Sequence, residues 1–395
     1  MKKLFLAFAV TTAVFHPAVA QQAAPSQEIA ARSYLLLDVT ANQLLAAKDI
    51  DTQVEPASLT KLITAYLVFD ALRVGKLKLK QELLVSQRAW RMPGSRMFLD
   101  PKMKVPVEDL LKGMLVQSGN DAAVALAEGM AGSVEKFVEL MNEQAAVLGM
   151  KSSSFKNPVG LTQAGHYSTA RDLGTLAARV MRDFPEYAAY FAIKKYHYKG
   201  TPPANNSNRN LLLFRDPTVD GLKTGRTNAA GYCLIASARR EYPNLSSPEP
   251  QGAEASGGRR LLAVVLGADS ESSRVNEAQK LLNWGFTSFE PVKLFEANQD
   301  VLAAPVWKGS SAVVRLGRPQ AIVVAVPAGS AGRIQTQVMR IEPLVAPFSK
   351  GQPLATLRVS VGEQALVDVP LLALEAVNEA GMLGRAWDAF RLWIK

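Results

Sequence analysis

Cysteine occurs once in the 395 residues, as Cys233, and this excludes an intramolecular disulfide. Cys233 lies in the apolar stretch Gly231-Tyr232-Cys233-Leu234-Ile235-Ala236, the setting of a buried structural thiol rather than a reactive one. Histidine is nearly as scarce, with His16, His166 and His197 making up all three. A Ser-His-Asp triad would depend on His166 or His197, yet neither adjoins a nucleophile motif, so structural or surface roles are expected for both. The N-terminal apolar run, Leu4 to Phe15, falls short of the ~20 residues that a membrane-spanning helix needs. The formal net charge of +10 comes without a clustered basic stripe interleaved with aromatics, so no nucleic-acid partner is expected. No metal or cofactor is called for either.

What the chain does have begins with an export signal. Lys2 and Lys3 give the positive start, Leu4 to Phe15 the apolar run, and Ala18-Val19-Ala20 an A-x-A cleavage site. Residues 1–20 are therefore expected to be a signal peptide, with a mature chain starting near Gln21. The remaining length exceeds one small core and implies at least two domains. Without disulfides the fold must rest on packing, and 48% hydrophobic residues suffice for that. The basic balance suits anionic lipid headgroups and acidic wall polymers.

Three short motifs follow one another: Ser58-Leu59-Thr60-Lys61, Ser118-Gly119-Asn120 and Lys223-Thr224-Gly225. The first pattern alone decides nothing, because Ser133-Val134-Glu135-Lys136 and Ser153-Ser154-Phe155-Lys156 also match it. The ordered set supplies a serine nucleophile, a lysine base, a proton relay and a carboxylate clamp without histidine. Residues three apart share a helix face, so Lys61 can point its amine at the Ser58 hydroxyl. Burial and a positive neighbour such as Lys223 would lower the Lys61 pKa enough for it to act as a base.

The periodicities predict an α+β chain. Strands are expected from Arg32 to Asp38 and from Gln43 to Lys48, then a helix over 57–72 that starts at or just before Ser58. Helical spacing recurs at 107–115, 121–130, 134–148 and 169–181. Strand patterns return at 231–238 and 261–266, before a helix over about 271–286. Glu241 to Gly258, rich in Pro, Ser, Gly and Glu, reads as a solvated insertion within a hairpin. Short β-branched runs between Pro291 and Ala376 suggest a separate all-β domain. Residues 382–395 form an amphipathic helix with Leu383, Ala386, Trp387, Phe390, Trp393 and Ile394 on one face. That face suits a membrane interface, the alternative being a terminal helix docked on its own protein.

The motif set resembles the penicillin-binding and serine β-lactamase enzymes. With Pro56-Ala57-Ser58, Gln117-Ser118-Gly119-Asn120-Asp121, Asp220-Gly221-Leu222-Lys223 and Asn283-Trp284-Gly285-Phe286, it is most similar to the low-molecular-mass D-alanyl-D-alanine carboxypeptidases. That resemblance implies a catalytic domain over 28–289, with a mixed sheet and a helical subdomain, then an all-β domain over 291–376 and an anchoring helix over 382–395. It also implies a serine carboxypeptidase acting on peptidoglycan stem peptides, covalently inhibited by β-lactams. Such a protein would be periplasmic and held on the outer face of the inner membrane by its C-terminal helix.

In those terms Ser58 would attack the carbonyl between two D-alanines, with Lys61 as base and Ser118 as proton relay. Asn120 would bind the substrate backbone and help position Lys61. Lys223 and Thr224 would hold the terminal carboxylate, and Gly225 would let the substrate lie close. The N–H groups of Ser58 and Arg226 would form the oxyanion hole. Arg274 is a further carboxylate-binding candidate, set against a solvated charge opening a helix. Arg226 departs from the better-known relatives, which carry histidine there. Residues 151–171 contain no Asp or Glu, so the deacylating glutamate of class A β-lactamases has no counterpart there. The remaining alternatives are a D,D-endopeptidase or transpeptidase and a wall-binding scaffold.

Overall fold

The computed structural model describes residues 28–242 and 258–395, apart from 341, 383, 384, 386 and 389–395. The expected signal peptide, most of the 241–258 insertion and most of the 382–395 helix lie outside the described residues. Contacts divide the chain into two units.

The larger unit, Gln22–Leu294 with Val323–Gly329, is built on a five-stranded sheet. It opens with a hairpin of β1 (Ser33–Asp38) and β2 (Gln43–Lys48). A 3-10 turn, Ala57–Thr60, then leads into α1 (Lys61–Arg73). The helical part follows: β3 (Glu82–Leu84), α2 (Gln87–Trp90), β4 (Lys104–Pro106), α3 (Val107–Val116), α4 (Asn120–Ala131), α5 (Val134–Val147) and α6 (Ala170–Asp183). The short α7 (Leu212–Arg215) precedes β5 (Val219–Thr227), β6 (Gly231–Glu241), β7 (Gly258–Ala268) and α8 (Glu271–Ser288). The sheet order is β2-β1-β7-β6-β5, with β5 at an edge.

Every pairing in this sheet is antiparallel, where a mixed sheet was expected. The two hairpin systems, β1–β2 and β5–β6–β7, meet at the β1–β7 pair, so no parallel crossover is needed. The sheet separates two cores. On β7, Leu262, Val264 and Leu266 face the helical side, while Leu261, Ala263 and Val265 face α8. This period of two is what strand geometry dictates. Helix α1 is buried nearly all round, from Lys61 to Phe69, because the other helices and the sheet enclose it. Beneath the sheet a fully buried ion pair joins Arg259 Nε to Asp38 Oδ2 at 2.7 Å, and Arg259 also donates to the carbonyl of Phe289. Losing one partner would strand a buried charge, at a cost of ~3–5 kcal/mol.

The helix expected over 57–72 differs in its first turn. The 3-10 geometry of Ala57–Thr60 follows from Ala57, which holds a left-handed φ of 47° and delays α-helical hydrogen bonding. The two decoy motifs prove structural. Ser133 caps α5 by accepting from the Lys136 N–H, and Ser153 donates to Asp172 Oδ2 at 2.7 Å.

The smaller unit comprises Phe295–Ile322 with Ser330–Lys395, and its described residues up to Ala373 are built of strands with one 3-10 turn, Ala331–Arg333. After β8 (Phe289–Phe295) come β9 (Asp300–Trp307), β10 (Val313–Gly317), β11 (Ile322–Pro327), β12 (Ile334–Arg340), β13 (Leu344–Val345), β14 (Pro353–Val361) and β15 (Gln364–Ala373). A six-stranded sheet runs β12-β14-β15-β10-β9-β13, with Val314, Leu316, Leu357, Val359 and Leu371 at its core. Strand β11 instead pairs with β8, and the Ala325 backbone exchanges hydrogen bonds with the Gln43 side chain. Residues 323–329, most of β11 and the turn after it, therefore belong to the larger unit, an excursion that the β-branched pattern over 291–376 could not separate from its neighbours. Among the described residues no helix is long and apolar enough to cross a membrane.

Candidate active site

Ser58 sits on the 3-10 turn, where residues three apart eclipse, and Lys61 Nζ lies 3.0 Å from Ser58 Oγ. Lys61 is wholly buried, and its Nζ also reaches Asn120 Oδ1 at 2.6 Å and the Val159 carbonyl at 2.9 Å. Burial pushes the amine from 10.5 down to about 7, against the opposing pull of the Asp121 carboxylate. The neutral amine has two N–H donors and one lone pair. Asn120 Oδ1 and the Val159 carbonyl can only accept, so they use both donors. The lone pair is left for the Ser58 hydroxyl.

Asn120 begins α4, and its Nδ2 donates to the Pro93 carbonyl at 2.6 Å, which fixes the orientation of the amide. Ser118 precedes it with a left-handed φ of 62°. This strained turn aims Oγ at the third motif, 2.9 Å from Lys223 Nζ. Lys223 is buried and also donates to the Thr224 carbonyl at 3.0 Å. Its pKa is lowered well below 10.5, first by burial and then by the positive charges of Lys61, Arg274 and Arg209. Burial, rather than the neighbouring lysine, is thus the main cause of the Lys61 shift.

Gly225 is where β5 passes the nucleophile. A Cβ there would stand 3.2 Å from the Ser58 nitrogen, the Pro56 oxygen and the Ala57 Cβ. Arg226 follows with an exposed side chain whose guanidinium lies 5.0 Å from the Tyr232 ring centre. Arg274 is 4% exposed and not a solvated charge. It lies behind β5, with Nη1 3.4 Å from the Gly225 carbonyl and Nη2 2.7 Å from Glu271 Oε1.

Several supports escaped sequence reasoning. The Asp121 carboxylate accepts from the N–H groups of Met97, Phe98 and Leu99, and so holds the 97–99 loop beside Asn120. It stands in the quoted Ser-Gly-Asn-Asp segment, so its position was visible, though its partners were not. The 157–161 loop that carries Val159 is held by Asn157 Oδ1, which accepts from the Gly160 and Leu161 N–H groups. Gly160 packs against the nucleophile's turn, and a Cβ on it would collide with the Ala57 oxygen at 1.7 Å. His166 is buried and bonds Thr60 Oγ1 at 3.0 Å, while burial lowers its pKa to about 4. Its role is structural; His197 is exposed.

A family profile described as D-alanyl-D-alanine carboxypeptidase matches residues 18–247. The chain belongs to this D-alanyl-D-alanine carboxypeptidase family. Residues 289–379 match a second profile, that of the penicillin-binding protein 5 C-terminal domain. The carboxypeptidase DacC of Escherichia coli (strain K12) is 37% identical over 377 residues, 93% of this chain and 90% of that protein. Penicillin-binding protein 5 from Haemophilus influenzae superposes with a TM-score of 0.78 at 34% identity, covering 89% of this chain and 99% of that one. Penicillin-binding protein D2 from Listeria monocytogenes, in its ampicillin-bound form, gives 0.56 at 30% identity, covering 66% and 99%. The α+β catalytic fold with a following all-β domain is that of this carboxypeptidase family.

Proposed function

We propose that the protein is a serine D-Ala-D-Ala carboxypeptidase that trims peptidoglycan stem peptides, with Ser58 as nucleophile. The observation that carries this reading is the Lys61 amine, buried, shifted to about 7 and 3.0 Å from Ser58 Oγ. At neutral pH a large fraction of that amine is unprotonated and able to take the Ser58 proton as Oγ attacks the penultimate D-alanine carbonyl. The N–H groups of Ser58 and Arg226 stabilise the oxyanion. Ser118, joined to Lys223, relays the proton that Lys61 took from Ser58 to the leaving amine, the C–N bond breaks, D-alanine departs and Lys61 is neutral again. Lys61 then takes a proton from the water that hydrolyses the Ser58 ester. Asn120 positions Lys61 and binds substrate backbone. Lys223, Thr224 and Arg274 hold the terminal carboxylate, and Gly225 keeps the strand open to the peptide.

β-Lactams acylate Ser58 in the same way, but the opened ring stays on the serine where D-alanine would have left, and residues 151–171 add no carboxylate to help Lys61 activate water, so the ester persists. The ampicillin-bound Listeria relative supports this reading. The decisive assay is D-alanine release from diacetyl-Lys-D-Ala-D-Ala by native protein and Ser58→Ala. Release that vanishes in the variant supports the assignment. No release from either, with cleavage of crosslinked dimers instead, would favour an endopeptidase.

Residues 1–20 direct export, and the mature enzyme works in the periplasm. Residues 28–294 with 323–329 form its catalytic domain, and 295–322 with 330–376 a stalk. The segment 382–395 lies in the membrane interface, a reading supported by its amphipathic sequence and by Met382 and Trp387, 79% and 62% exposed. A protein truncated before Met382 that stayed in the membrane fraction would overturn the anchor.

A further inference from the structure

One carboxylate joins the walls of the active site at its rim. Glu55 stands three residues before Ser58, and its Oε2 accepts from Thr227 Oγ1 at 2.9 Å and from Thr162 Oγ1 at 2.8 Å. Thr227 closes β5 immediately after Arg226, and Thr162 follows the 157–161 loop that presents the Val159 carbonyl to Lys61. The carboxylate thus links the nucleophile's turn both to the catalytic strand and to the loop that supports the base. Its own place is set from behind, since Val54 exchanges backbone hydrogen bonds with Ser168 at 2.8 and 2.9 Å. Thr227 is fixed on its other side, where its Oγ1 accepts from the Ala230 N–H at 2.9 Å and closes the β5–β6 turn. Glu55 and Thr227 are both half-buried.

The reaction gives this link a task. The oxyanion needs two N–H groups that come from separate elements, Ser58 on the 3-10 turn and Arg226 on β5. Strand β5 lies at an edge and is held in the sheet by β6 alone. Among the described residues no backbone hydrogen bond joins it to residues 55–61, and the one side-chain hydrogen bond between them runs from Thr227 to Glu55. Gly225 lets the two elements approach, since a Cβ there would stand 3.2 Å from the Ser58 nitrogen. Contact of that kind limits how near they come and does not hold them together. We propose that Glu55 is a positioning residue: by holding Thr227 it fixes the spacing of the Ser58 and Arg226 N–H groups, and so the grip of the oxyanion hole on the reacting carbonyl. Glu55 acts through these two amides and transfers no proton. The role needs an acceptor oxygen and no negative charge, so a glutamine can fill it. This inference rests on the carboxypeptidase reading, with Ser58 as nucleophile.

The test compares the native full-length protein with Glu55→Ala, Glu55→Gln, Thr227→Val and a double variant carrying Glu55→Ala and Thr227→Val. Acylation by benzylpenicillin and kcat on diacetyl-Lys-D-Ala-D-Ala should each fall about tenfold in Glu55→Ala and in Thr227→Val, less than the ~10²–10³ that follows outright loss of an oxyanion donor. KM should change little. Losses in the double variant should fall well short of the product of the two single losses, because both changes break the same bond. Glu55→Gln should restore most of the native rate. The carbonyl of the penicilloyl ester gives the direct readout. Two N–H donors lower its infrared stretching frequency, so the band should move up in Glu55→Ala and Thr227→Val and return in Glu55→Gln. A merely structural role would lower the melting temperature without moving that band. An unmoved band, or losses that multiply in the double variant, would overturn the proposal; should Glu55→Ala not fold, the band in Thr227→Val decides. Failure of the carboxypeptidase reading would look different, with no ester formed on Ser58 in the native protein itself.

Discussion

Lys61 donates to Asn120 Oδ1 across 2.6 Å while Ser58 Oγ stands 3.0 Å away on the same turn. The asparagine fixes which face of the amine meets the serine and adds no charge that would keep the amine protonated. Acylation by penicillin should therefore fall on the acidic side with an inflection near the Lys61 value of about 7. Asn120→Asp puts an anion beside the ammonium and favours the charged form. The inflection should rise by about one unit or more, with slower acylation at pH 7. Stopped-flow acylation from pH 5 to 9 measures both curves.

Gly160 tests the loop that presents the Val159 carbonyl. It holds φ at +84°, and a Cβ would strike the Ala57 oxygen. Gly160→Ala should lower stability by at least ~1–3 kcal/mol and slow acylation, because the Lys61 and Ser58 supports move together. Urea unfolding and acylation rates check the two effects.

Asp121 has a separate, mainly architectural duty. Asp121→Ala leaves the Met97, Phe98 and Leu99 N–H groups without their acceptor. A loss of ~2–4 kcal/mol is expected by chemical denaturation, with a weaker grip on Asn120 as the functional consequence.

His166 gives a stability effect with a definite sign. Its folded pKa of about 4 lies below the ordinary 6.5, so the unfolded chain takes up the proton first as pH falls. This group's contribution is complete above 6.5 and is lost progressively towards 4. The difference in Tm between native protein and His166→Gln should narrow across that window. A difference constant from pH 7 to 4 would contradict the assignment of a neutral, buried imidazole.

Much of this was legible in the chain itself. The Ser58–Lys61 pairing is local, because three residues on one turn bring the groups together whatever the rest does. The helix that Asn120 opens followed from the helical spacing over 121–130. What the sequence withheld was mostly long-range: the Val159 carbonyl, 98 positions from Lys61, and the buried placement of Arg274 behind Gly225. Backbone carbonyls leave no residue-type signal, and a charged residue opening a helix reads as solvated until its neighbours are known. The β11 excursion was hidden for a related reason, since Ile322-Val323-Val324-Ala325-Val326 has the same alternation whichever sheet receives it.

The central claim is that Ser58 is the nucleophile and Lys61 its base. Native protein, Ser58→Ala and Lys61→Ala should each be incubated with benzylpenicillin at pH 7.5, and the adduct located by peptide mass mapping. The account predicts one penicilloyl group on Ser58 in the native protein, none in Ser58→Ala and a drastically slowed reaction in Lys61→Ala. An adduct on another residue, or full-speed acylation without Lys61, would contradict it.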